Sequence, residues 1–411
     1  MTAIEDAGPG RLAIREGGGC LTLFGLPFFA TGVFMLLASF GVVTMRSDGQ
    51  PVTQATLLAV GVLFTLVGTV LSFGRAITTI DLGPHVVTKQ WRILLPVRTR
   101  TYELGNYNTV TLAFVQGDSD SADKYPIGLK GNAVAPLTLC SPLQYDEARR
   151  CATAVAKLVG LDIEDTSTDH PLRVTASEAD AALQDRLRSS AVATTAVTRP
   201  SVMASEVTDN SGIVRIVMPM PPLHPLAAIG GLFPSVFAIG MLAWLGFFSG
   251  TRPLTPVEWI FAGVLFLGFG LLPATSVVGR WLRSRVGRTI ATISTQELRV
   301  QQRGIVRTRT TAALPASEIL DVDFSTKESV VASARRRAEQ QTASMREGAA
   351  SRSATGPSTE WVFATLNRFA KGKGIIVKTR SGITTFGEGL ADEEVRYLHA
   401  TIRRALSGNS G

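Results

Sequence analysis

No charged residue lies between Glu16 and Arg46, between Asp48 and Arg75, between Arg215 and Arg252, or between Glu258 and Arg280. Each window holds the roughly 20 apolar residues that span a hydrocarbon core about 30 Å thick. Spans are expected at Leu21–Val43, Leu57–Phe73, Leu226–Phe248 and Trp259–Val278. A buried helix of a soluble core ordinarily meets a polar residue before running that far. The first run is too long for the apolar stretch of a secretory signal, lacks an Ala-x-Ala cleavage site, and is followed at once by a second span. Met45–Thr56 and Gly250–Val257 are short connections, so the four spans pair into two hairpins.

Arginine distribution orients the hairpins. The two connections carry only Arg46 and Arg252 as basic residues, whereas Arg75 closes the second span and Arg280, Arg283, Arg285 and Arg288 follow the fourth. Basic residues concentrate on the cytoplasmic side. Both termini, the linker and both polar domains are therefore expected in the cytoplasm, on an inner-membrane, multi-pass protein. No Asp, Glu, Lys or Arg lies within a span, which argues against a proton or ion relay. Gly25, Pro27, Gly231 and Pro234 sit in the first span of each pair. Gly231 with Ser235 has the small-xxx-small spacing that lets helices approach.

The chain beyond each hairpin is β-rich. Ala76–Leu82, Val86–Trp91, Arg98–Leu104, Thr109–Val115, Tyr125–Lys130 and Ala133–Leu139 read as strands separated by Gly, Pro, Asn or Asp. A helix then starts near Ser141, with Pro142 at its first position and Gln144 completing a capping box. Its predicted buried face is Ala148, Cys151, Ala152, Val155, Leu158 and Val159, and Gly160 stops it. The second half repeats this order. Strands are expected at Arg288–Ser294, Glu297–Arg303, Ile305–Ala313, Ile319–Phe324, Trp361–Leu366, Gly374–Thr379 and Ile383–Gly387, and a helix at Ala391–Leu406. Val97–Thr101 even recurs in letters as Val306–Thr310, and Arg11-Leu12-Ala13-Ile14 before the first span is similar to Arg215-Ile216-Val217-Met218 before the third. Identity elsewhere is low, so the pattern is that of an old tandem duplication or of convergence.

The residues Thr79-Ile80-Asp81-Leu82 through Arg98-Thr99-Arg100 with Ser141–Gly160, and Ala291-Thr292-Ile293-Ser294 through Arg307-Thr308-Arg309 with Ala391–Leu406, place strands and one amphipathic helix after a membrane hairpin. This order resembles bacterial membrane proteins with pleckstrin-homology-like (bPH-type) cytoplasmic domains. The resemblance implies an antiparallel half-barrel closed by its C-terminal helix, and no catalytic set. Phosphoinositide binding does not carry over, because Gly83-Pro84-His85 in the first strand connection is not basic.

The expected domains are a cytoplasmic segment 1–20, hairpin 21–75, domain 76–164, disordered linker 165–212, hairpin 213–279, and domain 280–411 with a disordered insertion 326–358. The net charge of +8 reports cytoplasmic arginines rather than nucleic-acid binding, for which a folded basic face with interleaved aromatics is wanted. The three cysteines, Cys20, Cys140 and Cys151, form an odd, scattered set that reads as reduced thiols. Cys140 with His85 lacks a third partner for nucleophilic catalysis. Asp118-x-Asp120-x-x-Asp123 lacks the Gly and Glu of a calcium loop, and Gly372-Lys373-Gly374 reads as a turn. No HExxH, Walker A or GxSxG motif is present. The expectation is a non-catalytic membrane anchor without cofactors, binding the bilayer and a protein partner or a second copy. Arg280, Arg283, Arg285 and Arg288 are its candidate anionic-lipid contacts. The alternatives are a transporter or channel component using the four-helix bundle, and a membrane enzyme acting on a lipid.

Overall fold

The computed structural model describes residues 2–17, 20–42, 54–93, 96–117, 122–189, 197–210, 212–221, 223, 225–244, 255–304, 307–332 and 372–408. In it the segment ahead of the first apolar run is a hairpin, β1 (Thr2–Gly8) and β2 (Arg11–Gly17). Two apolar helices come next, α1 (Cys20–Ser39) and α2 (Gln54–Phe73), then β3 (Arg75–Asp81), β4 (Val86–Arg92) and β5 (Pro96–Glu103). These strands form one antiparallel sheet in the order β1-β2-β3-β4-β5. β2 and β3 are paired from Gly17↔Arg75 to Arg11↔Asp81. The apolar helix pair is thus inserted between two neighbouring strands. Ile14, Ile80 and Val87 bury completely on one face of that sheet.

The same unit, Met1–Ala181 with Arg380–Gly382, contains a second sheet. Its members are β6 (Thr109–Ala113), β7 (Ile127–Lys130), β8 (Leu137–Cys140), β9 (Asp162–Thr166) and β10 (Leu172–Val174), in the order β10-β9-β6-β7-β8. Helix α3 (Tyr145–Val159) precedes β9, which runs parallel to β6. Three contacts fasten β8 and its end to the first sheet. Thr78 donates to the Leu139 carbonyl at 3.1 Å, Lys89 to the Thr138 carbonyl at 2.6 Å, and the Ser141 amide to the Glu16 carboxylate.

The second unit, Ala182–Thr379 with Ile383–Gly411, begins with α4 (Leu183–Ser189), β11 (Glu206–Asn210) and β12 (Ile213–Pro219). Next come α5 (Pro225–Trp244), α6 (Pro256–Leu265), a π-helical stretch Phe266–Leu271 and α7 (Leu272–Val286). Strands β13 (Arg288–Ile293), β14 (Glu297–Arg303) and β15 (Thr308–Pro315) complete a sheet ordered β11-β12-β13-β14-β15. β12 pairs with β13 across the helices, from Pro219↔Arg288 to Val214↔Ile293. A smaller sheet, β16 (Ile319–Ser325), β17 (Gly374–Thr379) and β18 (Gly382–Phe386), and helix α8 (Asp392–Ser407) end the chain. Val395, Leu398, Ile402 and Leu406 of α8 all bury against both sheets. That is the face the 3.6-residue spacing of the sequence marks.

Several expectations are corrected. Among the described residues three helices, not four, are long and apolar enough to cross a membrane: Thr22–Ser39, Gln54–Phe73 and Pro256–Val286. The apolar helix Ala228–Trp244 is shorter, and its run continues in letters through Leu245–Gly250, outside the described residues. Within the segment 1–20, to which no strand is assigned from the letters, Thr2–Gly8 and Arg11–Gly17 are sheet strands. The described part of 165–212 is not a disordered linker: β10, α4 and β11 lie in it, because Val174 and Leu183 have apolar cores to enter and β11 pairs with β12, while 190–196 and 211 lie outside the described residues. The helix is not the last element of the first unit, since β9 comes after it and buries Ile163 and Asp165. Helix α3 starts at Tyr145, without a capping box. Ser141 is engaged by Glu16, and the Pro142 carbonyl accepts from the Tyr125 amide at 2.8 Å, holding the chain extended there. Leu158 and Val159 are only partly buried; Tyr145 and Arg149 take that face instead. The insertion 326–358 begins as a helical turn at 327–332, capped where the Ser329 amide donates to the Thr326 hydroxyl at 3.2 Å. Residues 333–358 and the strand expected at Trp361–Leu366 lie outside the described residues.

Glycines set the packing of both helix pairs. On α1 and α2, Gly25 and Gly32 face Ser72 and Thr65, and Gly61 and Gly68 face Leu36 and Phe29. A Cβ at Gly68 would sit 2.5 Å from the Phe29 Cα, and one at Gly32 2.5 Å from the Thr65 Oγ1. In the second unit, a Cβ at Gly231 would meet Val277 at 2.6 Å. Ser235, one turn on, is buried and donates to the Gly270 carbonyl at 2.7 Å. That carbonyl lies in the π-helical stretch. The small-xxx-small pair is therefore a helix contact, as its spacing suggests.

Candidate functional site

The four arginines expected at the membrane surface are all exposed. They do not form one cluster. Arg280 and Arg283 stand three residues apart on α7 and share a face. Arg283 donates to the Gly279 carbonyl at 3.1 Å, while Arg285 lies over the Trp281 ring at 5.7 Å. Arg288 belongs to the sheet, paired with Pro219 on one side and Arg303 on the other.

A denser cationic surface lies in the first unit, on residues whose letters show only half-exposed strands. Strand alternation puts Trp91 opposite Ala76 and Arg98, and Lys89 opposite Thr78 and Arg100. All of these share the sheet face that Ile80 and Val87 bury further along. The face is apolar and covered at one end, basic and open at the other. The open end is a groove of about 200 Å³ lined by Thr78, Lys89, Trp91, Arg98, Arg100 and Tyr102 among others. Trp91 is 41% exposed and Val97 60%. The signal available in letters is the two-residue spacing Lys89-x-Trp91 and Arg98-x-Arg100-x-Tyr102.

The candidate nucleophile does not assemble. Cys140 is fully buried with its Sγ 3.3 Å from the Cys151 Sγ, and both thiols are free. The hydrogen bond with Cys151, together with burial, pushes the Cys140 thiol far above the usual thiol range, the opposite of activation. His85 is exposed in the β3–β4 turn, at φ 56°. Asp118 and Asp120 lie outside the described residues; Asp123 accepts from the Gly117 amide at 2.9 Å, an ordinary turn contact. His399 bonds the Val322 carbonyl at 2.8 Å. His170 lies between β9 and β10, and His224 outside the described residues. Among the described residues no group of three or more His, Cys, Asp or Glu is placed to hold a metal ion.

Buried polar side chains elsewhere tie elements together. Tyr145 donates to the buried Asp165 at 2.9 Å. Burial, with Asp123 and Asp165 nearby, raises the Tyr125 phenol. Arg149, only 4% exposed, donates to the Ala179 carbonyl at 3.0 Å. In the second unit Asp321 and Lys378 are cross-strand partners, both buried, with Arg403 3.8 Å from Asp321. Burial raises the Asp321 carboxyl, while Lys378, Arg403 and Arg186 oppose the rise. These groups fasten the helices to the sheets, and none borders the groove of the first unit. No protein-family model matches the chain, and no curated protein is similar to it in sequence.

Proposed function

We propose that this is a non-catalytic, multi-pass inner-membrane protein. Its hairpins hold two pleckstrin-homology-like modules, a tandem duplication, at the cytoplasmic surface, where they bind a protein partner or a second copy. The observation that carries this reading is the insertion of each apolar helix group between paired strands. Gly17 can pair with Arg75, and Pro219 with Arg288, only if the chain leaves and returns on the same side of the membrane. Each inserted group must then cross an even number of times. This favours a crossing by Pro225–Trp244 together with the 31-residue helix Pro256–Val286. Recurrence of the five-stranded order, with Arg98-Thr99-Arg100-Thr101 and Thr308-Arg309-Thr310 on the fifth strand of each sheet, supports the duplication. A rigid weave of membrane and module suits an anchor that presents its modules in a fixed pose.

Two measurements test this. Single cysteines at Ser47 and Ser284, in a cysteine-free background, should label oppositely with an impermeant thiol reagent in intact cells. Labelling at Ser47 only is expected, and labelling at Ser284 only would overturn the topology. Full-length protein in mild detergent should run as a stoichiometric complex, with a partner or with itself. A partner-free monomer at every concentration would sink the binding role.

A further inference from the structure

We propose that the membrane-facing end of the first five-stranded sheet binds anionic phospholipid headgroups, through Arg98 and Arg100 with Lys89 and Trp91. The inference rests on the membrane reading above and adds a ligand class and a site to it. Strand β3 leaves α2 after a single residue, Gly74, whose amide donates to the Val70 carbonyl at 2.9 Å. The row Gly17–Arg75–Arg92–Pro96 is therefore fixed at the helix ends. Trp91 and Arg98 stand one residue above that row, and Lys89 and Arg100 three above. At about 3.4 Å per residue these are heights of about 3 and 10 Å. That is the headgroup layer and the first Debye length of an anionic surface.

The charge balance points the same way. Lys89, Arg98 and Arg100 share the open face, Arg75 and Arg92 add charge at the same end from the opposite face, and Arg75, Arg98 and Arg100 make no ion pair among the described residues. The carboxylate nearest in register, Glu16 beside Ala76, already accepts from the Ser141 amide. An exposed Trp beside the helix ends suits the interface, where indole rings are enriched. Orienting a hairpin during insertion requires cations on the cytoplasmic side, but not cations alternating onto one open sheet face around a tryptophan. An acidic peptide shares the charge but not the height, so lipid is the occupant the geometry favours.

The test uses full-length protein in nanodiscs of phosphatidylcholine, with or without phosphatidylglycerol, read by hydrogen exchange over residues 86–103. Strand β5 is the sheet edge, so its outer amides report contact. Phosphatidylglycerol should slow exchange there at least about fivefold, and 1 M salt should abolish the difference as the Debye length falls to about 3 Å. Arg98→Gln/Arg100→Gln should lose the protection. At about fivefold in surface affinity per basic residue, the pair is worth about 25-fold. Unchanged exchange at 109–113 and 162–166 would show that the variant remains folded. Protection by inorganic phosphate in pure phosphatidylcholine, or by an acidic peptide but not by phosphatidylglycerol, would overturn the lipid assignment. Exchange that ignores lipid charge in a protein that resists carbonate extraction would overturn this inference alone. Extraction by carbonate would overturn the membrane reading as well.

Discussion

Replacing residues 18–74 with an Asn-Gly turn is expected to convert residues 1–181 into a soluble, cooperatively melting module. Gly17 and Arg75 already face each other in antiparallel register, and Asn-Gly is the two-residue connection whose twist fits such strands. The excised residues contribute helix contacts, whereas Leu12, Ala13 and Ile14 of β2 contribute buried sheet core. Residues 76–164 alone should aggregate. That fragment lacks β1 and β2, exposes the edge of β3, and cuts β9 short. Within the fused module Ile14→Asp should abolish folding. Ile14 is 0% exposed, so the change forfeits about 2–5 kcal/mol of apolar packing and adds several more for an unpaired buried charge. The sum is comparable to the whole stability of an ordinary domain, about 5–15 kcal/mol. A cooperative melt from residues 76–164, or a turn-bridged chain that stays insoluble, would refute the woven arrangement.

Gly68→Leu should cause the largest loss among single changes in the apolar helices. The new Cβ would meet the Phe29 backbone at 2.5 Å or closer, and a backbone atom cannot rotate away as a side chain can. The helices must separate, which breaks the facing contacts at Gly32 and Gly61 and the Phe28–Phe64 ring pair at 5.7 Å. Overpacking of this kind costs about 3 kcal/mol, equivalent to a fall of about 10 °C in Tm for a unit of this size. Gly230→Leu is the control, since a Cβ there meets nothing within 4 Å. Equal melting of the two variants in detergent would show that close approach at Gly68 contributes nothing.

Strong local periodicity makes much of the fold readable. β14 and β17 lie where the letters place them, and α8 buries the face its spacing marks. Pairing partners far apart in sequence are not readable. Arg11-Leu12-Ala13-Ile14 has the composition of a strand, but its neighbour β3 lies beyond an entire helix pair, so no local signal names the partner. The similarity between that segment and Arg215-Ile216-Val217-Met218 is the available clue, since both are second strands of their sheets. Polarity misleads in 165–212, because a short strand or helix needs only one or two apolar anchors, here Val174 and Leu183. Helix α3 starts later than its letters suggest. Ser141 and Gln144 suit a cap in isolation, and a long-range bond to Glu16 wins. The groove residues are legible as alternation along each strand, but not as neighbours across two.

The split hairpin also orders events during synthesis. Strand β2 leaves the ribosome before either of its helices, and its partner β3 only after both. Until α1 and α2 have been made, β2 lacks the neighbour that Ile14 faces. The first five-stranded sheet can therefore be completed only after both apolar helices are made, and the same order recurs when β12 waits for β13. A chain in that interval carries a β1–β2 hairpin with an exposed strand edge. Such an edge is a template for pairing with another chain, so the interval between β2 and β3 is when the first unit is most open to misassembly.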